Sequence, residues 1–199
     1  EPKELYYSYD SRNATWTVGF FQIKIDGTDI LNPFDVVQPK RFKDPLNSDK
    51  LSVPGVKVEG EPMNHVSASL FYIPSNRKSI MPGEHSAWWP RVERLPIKTV
   101  GSQLLLPDTV EYKVGDQLVV DHALANNFGG SLKWTGTIAD LHLLYFNGVS
   151  TAPDVVPKLN GTLIAATPEY VIQLDNPIIL NYYYKRAETF GLGTSLQMG

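Results

Sequence analysis

Two tryptophans beside an arginine form the sharpest local candidate for a binding site. Trp88 and Trp89 are adjacent, and Arg91 follows them after one proline. Indole rings next to a guanidinium could stack on a sugar ring or line the path of a solute. Amphipathic indoles are also favoured at the edge of a bilayer, and they pack well inside loops. The sequence therefore leaves ligand contact and aromatic packing both open for this cluster.

Basic residues of the connecting segments form a second candidate. Folded into a lumen, they would create an electrostatic field that selects solutes by charge. On an outer surface, they would contact lipopolysaccharide or water instead. Together with the tryptophans, the candidate residues for loop or lumen contacts with a ligand are Arg41, Arg77, Lys78, Trp88, Trp89, Arg91 and Arg94.

No arrangement typical of an enzyme accompanies these residues. The chain contains no Cys, and it lacks the Gly-x-Ser-x-Gly sequence that presents a nucleophilic serine. Ser69 or Ser131 could be combined with His65 or His142, but no pattern selects such a pair. The sequence therefore predicts no catalytic residue and no enzymatic activity.

Metal, cofactor and nucleic-acid sites are not predicted either. The four histidines are far apart in the sequence, without the short spacing of metal ligands. Asp29, Asp35 and Asp44 could offer carboxylates to calcium, but they do not follow the regular calcium-loop pattern, and solvated loop acids are the favoured interpretation. A net charge of -3 creates no basic field of the kind that attracts nucleic acid.

The elements that must position these loops are β-strands. Apolar residues seldom recur at helical spacing, while 15 Pro and 15 Gly interrupt the chain. No apolar stretch approaches the roughly 18 to 20 residues of a membrane-spanning helix. Alternation of apolar and polar residues predicts strands at 4–10, 14–25, 56–60, 66–73, 108–114, 117–123, 128–136, 141–147, 170–174, 178–184 and from 189 onward.

The connections between these strands are of two kinds. Short turns are predicted at 61–64 and 137–140, and long polar connections at 26–54 and 74–104. In the last strand, Phe190 and Leu192 alternate with Gly191 and Gly193, which is typical of a lipid face and a lumen face. The sequence thus predicts an all-β protein, an antiparallel transmembrane β-barrel with long extracellular loops and short periplasmic turns. Residues 1–199 would form a single region of it.

The order of several segments resembles a family of large, porin-like outer-membrane β-barrel proteins of Gram-negative bacteria. The end of one predicted strand is followed by a loop that contains Asn-Pro and then by a Pro-rich run. A later strand ends in the sequence aromatic-Ile-Pro. The segments that carry the resemblance are 19–22, 29–37, 38–45, 53–58 and 71–74, with 144–148 and 188–193 further on.

The resemblance implies location in the bacterial outer membrane and passive transport, or traffic of lipids or hydrophobic compounds, across it. Implied partners are outer-membrane lipids and lipopolysaccharide. Because members of the family are longer, we expect the barrel region to be incomplete at both ends, and other chains or the rest of a longer barrel to complete it. Two alternatives remain, a soluble β-sandwich that binds carbohydrate through its loop aromatics, and a structural subunit of a multi-chain barrel.

Overall fold

The computed structural model describes residues 4–25, 36–42, 48–87, 89, 93–94, 104–105, 109–165 and 171–196. These residues form an all-β protein built from antiparallel sheets, as the alternation predicted. No helix among them is long and apolar enough to span a membrane. Trp88, Arg91 and the three loop aspartates, Asp29, Asp35 and Asp44, lie outside the described residues.

Fifteen strands are defined within the described part of the chain. They are β1 Leu5–Ser11, β2 Ala14–Phe21, β3 Lys40–Arg41, β4 Asp49–Lys50, β5 Val53–Met63, β6 Val66–Ser75, β7 Glu93–Arg94, β8 Leu104–Leu105, β9 Thr109–Val110, β10 Tyr112–Val119, β11 Ala125–Thr135, β12 Ala139–Val149, β13 Asp154–Ala165, β14 Val171–Tyr184 and β15 Arg186–Leu196.

The described chain divides into two compact units. One unit comprises Glu1–Met81, Val119–Pro153 and Tyr184–Gly199, and the other comprises Pro82–Leu118 and Asp154–Tyr183.

A seven-stranded antiparallel sheet organises the first unit, in the order β1-β2-β5-β6-β11-β12-β15. The described strands leave this sheet open, with β1 and β15 at its edges. The short turns β1–β2, β5–β6 and β11–β12 all lie at one end of the sheet. The long connections β2–β5, β6–β11 and β12–β15 all leave from the other end. The sheet therefore has a turn end and a connection end, as the contrast of loop lengths suggested.

Two hairpins of this sheet match the predicted strands with small shifts. β11 and β12 pair from Phe128 with Asn147 to Thr135 with Asp140. The turn predicted at 61–64 is displaced, because β5 continues to Met63 after a register shift that follows Gly60. Asn64 and His65 make the turn instead, and His65 has a positive φ of 65°. A bulge, which adds a residue to one strand, is not visible in alternation alone.

The second unit contains the sheet order β10-β14-β13, with β8 parallel to β14, and the separate pair β7–β9. The sequence predicted two strands at 170–174 and 178–184, but β14 runs unbroken through Pro177. Its partner β13 was not predicted. Adjacent apolar residues at Val155 and Val156 interrupt the alternation there, and a register shift between Lys158 and Asn160 displaces it again.

Candidate functional site: a sheet with two unlike faces

One face of the seven-stranded sheet is apolar and exposed across all seven strands. Leu70 is 67% exposed and Phe190 is 77% exposed. The register shows that these residues form continuous rows, for example Ala68, Leu132, Leu143 and Leu192 on four neighbouring strands. We call this surface the apolar face. Its exposed large members are Leu5, Tyr7, Tyr9, Trp16, Val18, Phe20, Val56, Leu70, Tyr72, Phe128, Leu132, Trp134, Leu143, Phe190 and Leu192.

Aromatic side chains concentrate at both ends of the apolar face. At the turn end, Tyr9 is the register partner of Trp16, and Trp134 lies close to the β11–β12 turn. At the connection end, the Tyr145 ring centroid is 6.0 Å from that of Phe128 and 5.0 Å from that of Phe190. Phe128 and Trp134 are separated by about 20 Å of strand at roughly 3.3 Å per residue. That length is comparable with the roughly 25 Å apolar band of membrane barrels, which aromatic girdles flank.

The opposite face carries a hollow of about 660 Å³ lined largely by polar side chains, which we call the polar trough. Neighbouring strands are joined across its floor by hydroxyl pairs. The Ser69 and Ser131 oxygens are 2.8 Å apart, and those of Ser8 and Thr17 are 3.3 Å apart. The hydroxyl-bearing residues that line the trough are Tyr6, Ser8, Thr15, Thr17, Ser67, Ser69 and Ser131.

Charged side chains of both signs also line the polar trough. Lys57 Nζ lies 2.7 Å from Glu59 Oε2 and 5.8 Å from the centre of the Phe21 ring. Glu4 Oε1 accepts a hydrogen bond of 3.1 Å from the backbone N–H of Gln22. The lining charges are Glu4, Glu59, Glu61, Lys24, Lys57 and Lys133, with His142 beside them.

At the connection end, the same face is covered by a buried apolar cluster, which we call the inner cluster. Its members are Phe21, Ile23, Val37, Val53, Phe71, Ile73 and Phe146. Val37 reaches it from residues 36–42, the inner segment, in the β2–β5 connection. Polar contacts hold the inner segment in place. The side-chain amide of Gln38, itself 1% exposed, donates to the carbonyl oxygens of Phe21 and Leu51 at 3.2 and 3.4 Å.

Further backbone bonds fix the inner segment to the β6–β11 connection. The N–H of Ile80 donates to the Lys40 carbonyl oxygen, and the N–H of Phe42 donates to the Ile80 carbonyl oxygen, both at 2.8 Å. The Lys40 N–H donates to Ser79 Oγ at 3.1 Å. Alternation in the last strand predicted a lumen face of small or polar residues. The inner cluster is a departure from that expectation, because packing by a distant loop leaves no trace in strand alternation.

The candidate residues chosen from the sequence are divided between the two units. Arg41, Arg77 and Lys78 lie in the first unit, on the inner segment and the β6–β11 connection that it pairs with. The backbones of Arg41 and Ile80 form an isolated parallel β-bridge. Arg77 is exposed, and Lys78 Nζ lies 5.9 Å from the centre of the Tyr184 ring.

The remaining described candidates belong to the second unit. Arg94 lies in β7, in register with Thr109 of β9. The indole N–H of Trp89 donates to the Tyr112 carbonyl oxygen at 3.3 Å, so this ring is hydrogen-bonded within the unit. Packing is thus the interpretation that the Trp89 contact favours. The polar trough, which sequence reasoning did not single out, was signalled only by the serines and threonines that alternate with apolar residues in β1, β2, β6 and β11.

Among the described residues, no group of three or more His, Asp or Glu side chains is placed to hold a metal ion. Ser69 and Ser131, named above as conceivable nucleophiles, are hydrogen-bonded to each other. No family model, curated protein or solved structure matches the chain.

Proposed function

We propose that the seven-stranded sheet lies in the bacterial outer membrane as part of an antiparallel β-barrel. The apolar face would contact lipid, and the polar trough would face an aqueous lumen. The protein would act in passive transport, or in traffic of lipids or hydrophobic compounds, across that membrane. The single observation that carries the proposal is the apolar face, which is exposed on every strand of the sheet while the opposite face is polar or buried.

Water is a poor solvent for such a face. Contiguous exposed apolar patches on soluble monomers are usually no larger than about 300 to 600 Å². Fifteen large apolar side chains share this one surface, and the backbone groups of the five inner strands are paired on both sides. A sheet of this kind can contact hydrocarbon without leaving N–H or C=O groups unsatisfied, except at its edges.

The edge strands set a condition on how a barrel could close. Seven antiparallel strands in sequence make β1 and β15 run in the same direction. Direct pairing of β1 with β15, in one copy or between equally oriented copies, would therefore be parallel. Antiparallel closure requires an odd number of further strands between β15 and β1, and we propose that another chain or the rest of a longer barrel supplies them. This requirement supports a partner with complementary strands more than a ring of identical copies.

The soluble β-sandwich has less support. A sandwich buries one face of each sheet against another sheet. In the first unit, the face that is partly buried is the polar one, and the apolar face is exposed. Of the loop aromatics on which a carbohydrate site would depend, Trp89 is hydrogen-bonded to β10 of its own unit, and Trp88 lies outside the described residues.

The test is partition of the refolded chain between buffer and liposomes, with two substitutions on the same strand. Leu70→Arg places a charge on the apolar face, and Ser67→Arg places one at the polar trough. Because a charge on the lipid face costs about 2 to 4 kcal/mol near the midplane, we expect Leu70→Arg to lower partition at least about tenfold. Ser67→Arg should change it less than about twofold, since the trough is aqueous.

The transport role is tested with the same liposomes, loaded with a trisaccharide, whose release should require inserted protein. A monomer that is soluble in plain buffer, melts cooperatively and ignores the liposomes would contradict the membrane proposal. Equal effects of the two arginine substitutions would contradict the assignment of the faces.

A further inference from the structure

We propose that the polar trough binds uncharged, polyhydroxylated solutes of the oligosaccharide class, because the glutamates and lysines that line it are equal in number and seven hydroxyl-bearing side chains line it beside them. The inference rests on the proposed function, since it names the class of solute that would meet the lumen face. It follows from three properties of the trough, its charge balance, its hydroxyl density and its size.

The charges that line the trough cancel in number. Three glutamates, Glu4, Glu59 and Glu61, are matched in number by three lysines, Lys24, Lys57 and Lys133, so the formal charges of these six side chains sum to zero. The closest pair, Lys57 and Glu59, is in direct contact at 2.7 Å. An ion that entered would lose hydration and would not meet an excess of opposite charge in return. The trough should therefore disfavour ionic solutes of either sign.

Hydroxyl groups are what the trough offers to a neutral solute. A hydroxyl is one donor and two acceptors and rotates to suit its partner. The pair Ser69–Ser131 uses only part of this capacity for its mutual bond of 2.8 Å, and so does the pair Ser8–Thr17. Sugar hydroxyls have the same dual character. A row of protein hydroxyls can therefore exchange hydrogen bonds with a sugar without fixing the direction of each bond in advance.

An aromatic ring lies at the margin of the hydroxyl rows. Tyr6, which is 51% exposed, lines the trough and is the register partner of Gly19. Because Gly19 has no side chain, no side chain of β2 stands opposite Tyr6 in the register. An exposed ring of this kind combines an apolar surface for the C–H side of a sugar with a phenolic hydroxyl. The trough volume, about 660 Å³, lies within the roughly 300 to 1,000 Å³ of small-molecule sites.

The experiment compares three matched probes by titration calorimetry with the full chain in a detergent that contains no sugar. The probes are maltotriose, its oxidised carboxylate form maltotrionate, and maltotriose bearing a trimethylammonium group at the reducing end. We expect maltotriose to bind at least about fivefold more tightly than either charged probe, because only the charged probes lose ionic hydration. Its affinity should change less than about twofold between about 50 and about 500 mM salt, because no net charge is screened.

Two variants test charge compensation directly. Lys57→Gln leaves Glu59 without its partner, so the affinity for the cationic probe relative to maltotriose should rise at least about threefold. Glu59→Gln leaves Lys57 without its partner and should raise the affinity for maltotrionate relative to maltotriose in the same way.

The double variant Ser69→Ala, Ser131→Ala tests the hydroxyls and should weaken maltotriose binding at least about threefold, through lost hydrogen bonds. Lys158→Gln, on β13 of the other unit, is the matched control and should change none of these values.

Near-ultraviolet circular dichroism identifies any variant that fails to fold. If only one of the two charge variants folds, that variant alone tests charge compensation. Charged probes that bind the wild type as tightly as maltotriose would overturn the inference, and so would absence of maltotriose binding or unchanged affinity ratios in a folded charge variant. The measurement needs no bilayer. Failure of the sugar site is therefore distinguishable from failure of the membrane proposal, which liposome partition decides.

Discussion

The buried side chain of Asn76 donates a hydrogen bond of 2.9 Å to the side-chain oxygen of Asn127. That oxygen also accepts from the N–H of Val149 at 2.9 Å, and the Asn127 amide donates to the carbonyl oxygens of Ala123 and Ala125 at 2.9 and 3.0 Å. One fully buried side chain thus joins the connection after β6, the start of β11 and the end of β12. It fixes the path of two connections as they leave the sheet.

Asn127→Ala should lower the free energy of unfolding by about 3 kcal/mol or more, because each buried group left without a partner costs about 1 to 3 kcal/mol. Urea denaturation in detergent measures the effect. Asn160→Ala, at an exposed position of β13, is the control and should stay within about 0.5 kcal/mol of the wild type. Equal stability of the two variants would show that the Asn127 bonds do not matter.

Phe71→Ala should remove about 3 to 5 kcal/mol from the free energy of unfolding, since it opens a cavity in the inner cluster. The adjacent residue Leu70 lies on the apolar face, so Leu70→Ala should cost less than about 1 kcal/mol in detergent. Both values come from the same denaturation experiment. If Leu70→Ala lost more stability than Phe71→Ala, the side chain of Leu70 and not that of Phe71 would be the buried one, and the assignment of the two faces would be wrong.

Gly19→Ala should weaken the pairing of β1 with β2. Gly19 has a φ of 135°, and a Cβ there would lie 2.5 Å from the Leu5 carbonyl oxygen and 2.7 Å from the Tyr6 Cα. Backbone strain and the clash together should cost about 2 kcal/mol. Faster hydrogen exchange of the β1 and β2 amides would report it.

Gly83→Ala is the matched control for that substitution, because a Cβ at Gly83 meets nothing within 4 Å. It should leave both stability and exchange unchanged. If the two alanine variants exchange alike, the close approach of β1 to Gly19 is not a constraint on the sheet.

Burial raises the pKa of Tyr182, in β14 of the second unit, above its ordinary value of 10.0. The folded state therefore binds the phenolic proton more tightly than the unfolded state does. This contribution to stability is complete below pH 10.0 and is lost as the pH rises through the raised pKa. In Tyr182→Phe, stability should fall less between about pH 9 and about pH 12 than in the wild type. Urea titrations across this range measure it, and parallel losses in the two proteins would contradict the assignment.

Residue alternation was sufficient to predict the β11–β12 hairpin and the exposed residues Phe190 and Leu192, because a strand turns successive side chains to opposite faces. It did not predict that Val37 would belong to the same buried cluster as Phe71. Such a contact joins residues far apart in the sequence, in a segment without periodicity. The basic residues were singled out by charge alone, and charge does not determine which segments meet. Hydroxyls of the trough were overlooked because serine and threonine are common on any solvated strand.

The inner cluster lies at the connection end of the sheet, and the polar trough extends from it toward the turn end. In the proposed orientation, long connections face the cell exterior and short turns face the periplasm. The two mouths of the lumen would then be unlike, one lined by hydroxyls and the other by packed apolar side chains. A solute that entered from the periplasmic side would meet the hydroxyls first, and one that entered from the exterior would meet the apolar side chains first. The order of these contacts would reverse with the direction of passage, while the passive permeability would be the same both ways.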